Sequence, residues 1–111
     1  MALTTFTGPV RSLNGFITGT GATVTELSAA TASLDFGSIA TLAQADLTIT
    51  VTGAAVGDYV TLALPAAPTA GIVFNAFVSA ADTVTVRATN ATAGSINPAA
   101  ATYGVLVIAA A

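Results

Sequence analysis

The chain has 111 residues, room for one domain and not two. Charged residues make up 6% of it, where ordinary soluble domains carry about 25%. With a net charge of −3, Arg11 and Arg87 as the only basic residues, and no histidine or cysteine, the composition excludes several classes of function. It rules out Ser–His or Cys nucleophiles, thiolate metal sites and disulfides, and it argues against nucleic-acid binding by phosphate neutralisation.

A chain so poor in charge must build its exterior from Thr, Ser, Asn and Ala. Such a surface is weakly hydrated and repels its own copies little, which fits a subunit covered inside an assembly better than the competing reading, a sticky but soluble domain. The N-terminus lacks a charged n-region and a long apolar h-region, so it does not read as a signal peptide. The longest apolar run, Val105–Ala111, is far short of the roughly 20 residues of a membrane helix. The expectation is a protein made and assembled in a cytoplasm, with no membrane partner and no nucleic-acid partner.

From Thr4 to Thr25, glycines recur at Gly8, Gly15, Gly19 and Gly21 with Pro9 among them, which interrupts any regular element. Leu3, Phe6, Val10, Leu13, Phe16, Ile17 and Val24 nevertheless keep the stretch apolar, unlike a solvated linker. It reads as an extended arm packing on something outside its own domain. The competing reading is an extra edge strand folded back on the sandwich. Leu27 to Thr31, rich in Ala and Ser, reads as a joint with room for a short helical turn.

Thr31–Phe36 then reads as a strand broken by Gly37-Ser38, and Ile39–Ala45 as a connection. Leu47–Thr52 alternates without a fault, with Leu47, Ile49 and Val51 inward. Gly53–Asp58 is a turn, and Tyr59–Leu64 a strand with Val60, Leu62 and Leu64 on the core face. Pro65–Gly71 is a loop, since two prolines and a glycine forbid ladder and helix alike. Ile72–Ser79 is an apolar strand, Ala81-Asp82 a turn, and Thr83–Asn90 a strand in clean alternation. There Val84, Val86 and Ala88 face one way and Thr83, Thr85, Arg87 and Thr89 the other. Asn90–Ala101 is a loop with turn signals at Gly94 and Asn97-Pro98.

The last strand, Thr102–Ile108, is apolar on both sides through Val105, Leu106, Val107 and Ile108. One side can meet the core; the other needs a second layer, the arm or another subunit. The predicted fold is all-β: an antiparallel β-sandwich of jelly-roll type over residues 27–111, preceded by an extended N-terminal arm over residues 1–26. Sheet edges are usually guarded by lysine or bulges, and a chain with no lysine leaves them to be capped by neighbours.

Little in the chain carries covalent chemistry. Asp35 and Asp46 flank one connection, while Asp58 and Asp82 each open a strand after a turn, where Asp characteristically bonds nearby backbone. No Asp-x-Asp cluster offers calcium several oxygens, and no Gly-x-Gly-x-x-Gly precedes a helix. Neither cofactor nor metal is expected. Asn90-Ala-Thr matches a glycosylation sequon, without a secretion signal to support it. Seven Phe and Tyr residues without tryptophan form no obvious sugar platform. Arg87, on the outer face of its strand, reads as paired with an Asp or as an anchor to a partner.

Several stretches carry a resemblance: Ser33-Leu-Asp-Phe-Gly-Ser-Ile39, Leu47-Thr-Ile-Thr-Val-Thr-Gly-Ala-Ala-Val-Gly-Asp58, Val78-Ser-Ala-Ala-Asp-Thr-Val-Thr-Val-Arg-Ala-Thr-Asn-Ala-Thr92 and Ile96-Asn-Pro-Ala-Ala-Ala-Thr-Tyr103. Together they resemble a β-sandwich module of tailed-bacteriophage structural proteins: head decoration (cement) proteins, head fibres and some tail-fibre tips. Phe6-Thr-Gly-Pro-Val-Arg-Ser-Leu-Asn-Gly-Phe-Ile17 is similar to the start of head decoration proteins. The resemblance implies a virion protein, a homotrimer on the outer capsid surface that bridges neighbouring major capsid proteins and stabilises the head. The alternative is a head-fibre or tail-fibre module that recognises cell-surface glycans of the host. On the first reading Phe6, Val10, Arg11, Leu13, Phe16 and Ile17 are interface candidates in the arm. Arg87, Leu106 and Ile108 are interface candidates in the sandwich.

Overall fold

A computed structural model describes residues 3–110. Among the described residues there are six strands and no helix: β1 (Val24–Leu34), β2 (Gln44–Thr50), β3 (Tyr59–Ala63), β4 (Ile72–Ala80), β5 (Thr83–Asn90) and β6 (Ala101–Ala110). They form two three-stranded antiparallel sheets, in the orders β1-β6-β3 and β2-β5-β4. The pairing is nested. The first strand joins the last and the second joins the fifth, so most connections cross from one sheet to the other.

The β5 alternation decides which side of its sheet is buried. Val84, Val86 and Ala88 are completely enclosed, facing Ile49 and Leu47 on β2 and Val78, Ala76 and Phe74 on β4. Tyr103, Val105 and Val107 of β6 form the centre of the opposing layer, with Leu34 at the end of β1. Each buried CH₂ contributes about 0.8 kcal/mol, so this stripe is the main source of cohesion between the sheets. At one end of the core Phe36, Phe74 and Tyr103 meet with ring centroids 5.5–6.0 Å apart, one ring from each sheet and one from the loop between β1 and β2. Tilted and edge-on aromatic contacts of this kind add to plain area burial.

The loops 35–43, 64–71 and 91–100 lie together at that end. Ile39 and Ile96 exchange backbone hydrogen bonds of 2.7 and 3.0 Å. Asn90, at 0% exposure, is enclosed as fully as any valine of the core. Its Nδ2 donates to the carbonyls of Ile39 (3.0 Å) and Gly94 (2.7 Å), while its Oδ1 accepts from the N–H (2.9 Å) and hydroxyl (2.7 Å) of Thr92. Its own N–H donates to Ala43. The glycosylation sequon therefore has its acceptor amide committed to the interior of the fold.

The opposite end is closed by Asp82. It sits at φ 60° in the two-residue turn between β4 and β5, a left-handed conformation that Asp tolerates better than most residues. Its Oδ1 accepts from Gly53 (2.8 Å), its carbonyl from Val51 (2.9 Å), and its N–H donates to Ala54 (2.9 Å). Turn chemistry thus binds the β4–β5 hairpin to a loop 29 positions away in sequence.

Two details differ from the sequence expectation. Residues 27–31 are the middle of β1, not a joint. Ala and Ser show no amphipathic alternation of their own, and the ladder to β6 organises them. Leu64 is 42% exposed instead of facing the core, because β3 stops at Ala63 and Pro65 cannot continue the ladder.

Asn90→Ala removes the partner of the Thr92 N–H, takes one of two hydrogen bonds from each of the Ile39 and Gly94 carbonyls, and leaves a gap where a fully buried side chain stood. It is expected to lower stability by about 2–4 kcal/mol in urea unfolding, while Asn75→Ala on the exposed face changes it by less than about 0.5 kcal/mol. Burial also raises the Tyr103 phenol above its ordinary range. The neutral form is the one the fold prefers, so its contribution is complete below about pH 10 and is lost as pH rises through the folded value. Tyr103→Phe should therefore flatten the alkaline fall in thermal midpoint that the unaltered chain shows.

Candidate interaction surfaces

The two sheets present opposite kinds of outer face. On the β2-β5-β4 side the cross-strand rows read Gln44–Thr89–Val73, Asp46–Arg87–Asn75 and Thr48–Thr85–Phe77. Arg87 forms a bidentate pair with Asp46, Nε to Oδ1 at 2.9 Å and Nη2 to Oδ2 at 3.0 Å. The same guanidinium lies 5.1 Å from the centroid of the Phe77 ring. Thr85 is buried although it faces outward, and its hydroxyl donates to Ser79 Oγ at 2.7 Å. The charged pair and the Thr85 hydroxyl of this face are thus bonded within the chain.

On the β1-β6-β3 side the rows read Leu27–Ile108–Tyr59, Ala29–Leu106–Thr61 and Thr31–Gly104–Ala63. None of these nine positions carries a charge. Leu27 is 53%, Tyr59 66% and Leu106 36% exposed, so large apolar groups stand in solvent side by side. Between them Gly104 and its small neighbours leave a shallow groove of about 460 Å³. Contiguous apolar surface of this kind marks an interaction site more often than scattered exposed residues do.

A third apolar surface precedes β1. Phe16 and Val24 exchange backbone hydrogen bonds of 3.0 and 2.9 Å in an isolated antiparallel bridge. The ladder goes no further. Gly15 has φ 86°, and a Cβ there would run into the carbonyl of Val24, so only glycine makes this turn away from β1. A cleft of about 470 Å³ opens between Val10–Ser12 and Val24–Leu27, with Arg11 among its lining residues. Leu3, Phe6, Val10, Leu13 and Ile17 are all exposed. The molecule measures 58 × 27 × 23 Å, whereas an 11-residue strand such as β1 spans only about 36 Å. The radius of gyration is 17.4 Å, against about 13 Å for a compact chain of this length.

The interface candidates therefore fall in three places. Phe6, Val10, Arg11, Leu13, Phe16 and Ile17 lie on the N-terminal segment. Leu106 and Ile108 stand together on the uncharged outer face, and Arg87 lies on the opposite side of the sandwich. Leu27, Tyr59, Ala63 and Gly104 also lie on the uncharged face and were not singled out by sequence. Alternation in β3 put Tyr59 and Ala63 outside, but nothing in the sequence showed that β6 would place them beside Leu106.

Each of the five acidic side chains has a hydrogen-bonded partner. Asp35 accepts from Gly37 N–H (3.1 Å) and Asp58 from Ala55 N–H (3.0 Å), both local turns. Asp82 accepts from the distant Gly53, Glu26 from the Ser28 hydroxyl at 2.9 Å, and Asp46 from Arg87. No protein-family model, curated protein or solved structure matches the chain.

The hydrogen bonds from Arg87 hold the Asp46 carboxyl below its ordinary value. A depressed folded pKa contributes stability that is present above the unfolded value and lost as pH falls through the folded one. Asp46→Asn should remove that part of the acid sensitivity, read as a smaller drop in thermal midpoint between about pH 5 and pH 2. At neutral pH the substitution should cost little, because the pair is open to solvent.

Proposed function

We propose that this chain is a capsid decoration protein of a tailed bacteriophage. It would act as a homotrimer on the outer surface of the head and bridge neighbouring major capsid proteins. On this reading the sandwich is of jelly-roll type and the segment before β1 is an extended arm, which ends earlier than residue 26 because Val24–Glu26 pair with β6. The nested pairing of β1 with β6 and β2 with β5 supports the first, since a jelly roll is a long antiparallel ribbon wound into two sheets. The exposed apolar side chains before β1 support the second.

The observation that carries the proposal is the coexistence of two uncovered apolar surfaces on a chain with seven charged residues. These surfaces are the β1-β6-β3 outer face and the segment 3–17. A free monomer would expose both to water at a cost of about 25 cal/mol per Å². A closed ring of copies seated on a lattice covers both. The mechanism is mechanical: apolar burial and edge pairing, repeated at each junction of the shell, oppose separation of the capsid proteins. No bond is made or broken.

Sedimentation equilibrium should give a species three times the 10.7 kDa protomer mass. Deleting residues 1–20 removes no strand and is expected to leave the thermal midpoint within a few degrees of the full chain. The truncated protein should fail to co-sediment with undecorated heads of the virus that encodes it. Full occupancy of heads by the truncated protein would reject the arm. Adsorption of the full chain to host envelopes but not to heads would favour the fibre-module alternative.

A further inference from the structure

Gly104 lies in the interior of β6, the middle strand of its sheet, where glycine has no packing side chain and weakens the strand. Nothing within the chain asks for it. Its backbone is not among the positive-φ glycines. A Cβ added there would meet Ala63 Cβ and Thr31 Cγ2 at 3.5 Å and the Ala30 carbonyl at 3.8 Å, all ordinary van der Waals contact. What the missing side chain does produce is the floor of the groove, walled by Ala29, Thr31, Thr61, Ala63 and Leu106. An unforced glycine inside a strand marks close approach by another chain or a ligand.

We propose that this groove receives the N-terminal segment of a second copy of the chain, with an apolar side chain such as Phe6 seated over Gly104. The inference rests on the trimeric reading above and names its contact. The stretch of face shared by all three strands, about 4.8 Å apart and limited to the length of β3, presents only about 250 Å², well below the roughly 800 Å² per partner of a stable interface. The patch paired with itself is therefore too small. Such a pairing would also be two-fold, whereas a three-fold ring joins two different surfaces of the same chain. Among the described residues the other large exposed apolar surface is the segment carrying Leu3, Phe6, Val10, Leu13 and Ile17. Thirteen residues, 3–15, reach up to about 45 Å when extended, longer than the sheet face they would cross. The turn at Gly15 already directs the segment away from its own β1.

The test measures self-association of the full chain and of Gly104→Ala and Gly104→Leu by sedimentation equilibrium, beside their thermal midpoints. The unaltered chain should be trimeric. Gly104→Ala, whose added methyl has room in the monomer, should keep or raise the midpoint yet weaken association at least about tenfold. Gly104→Leu should be monomeric; if it does not fold, Gly104→Ala decides. Association of Gly104→Ala and Gly104→Leu equal to that of the parent overturns the contact and leaves the trimer standing. A parent chain that stays monomeric at every concentration removes the trimer, and the contact with it. Because the chain has no cysteine, the occupant can be identified separately by mixing Phe6→Cys copies with Ala63→Cys copies under mild oxidation. A disulfide between the two kinds of copy is expected. Disulfides only between two Ala63→Cys copies would mean that the faces meet each other, and would overturn the N-terminal occupant.

Discussion

Asn90 holds together what the two sheets cannot hold by themselves. Sheets stacked in a sandwich share no ladder, so their alignment depends on side-chain packing and on the loops that cross between them. Here loops 35–43 and 91–100 make two of those crossings, and the Asn90 amide is hydrogen-bonded to backbone groups of both. Of these groups the Thr92 N–H bonds only to Asn90, while the Ile39 and Gly94 carbonyls each accept one further hydrogen bond. One amide with two donors and an acceptor that takes two hydrogen bonds satisfies four contacts at once. The Phe36–Phe74–Tyr103 cluster closes the same end of the core.

The opposite end uses a different device for the same purpose. Asp82 stays near the surface and borrows the left-handed turn between β4 and β5 to aim its carboxylate and both backbone groups at loop 51–58. With a staple at either end, the sandwich is framed independently of the segment before β1, which touches it through the Phe16–Val24 bridge and the walls of one cleft. Leu3, Phe6, Val10, Leu13 and Ile17 on that segment stand exposed.

Charge is distributed with matching economy. The β2-β5-β4 sheet carries the Arg87–Asp46 pair, the Thr85–Ser79 hydrogen bond and a field of threonines. The β1-β6-β3 sheet carries no charge on its nine central outer positions. A chain with so few ionised groups can make one side of a sandwich water-compatible and leave the other for contact. That asymmetry, more than the overall composition, gives direction to the proposed assembly.

Sequence by itself determined the strands whose two sides differ chemically. In β5 valine and alanine alternate with threonine and arginine, and in β2 leucine and isoleucine alternate with threonine, so period and orientation were both legible. Turns at Gly53–Asp58 and Ala81-Asp82 were legible for the same kind of reason, since their residues suit turn geometry. β1 and β6 were different. Ala29 and Ala30, or Leu106 and Val107, are alike in polarity, so no local signal says which enters the core. Only the pairing of β1 and β3 on either side of β6 turned Val105 and Val107 inward and left Leu106, Gly104 and their neighbours outside. A surface made of residues 27–31, 59–63 and 104–108 has no existence along the chain, because strand register, a long-range property, is what assembles it.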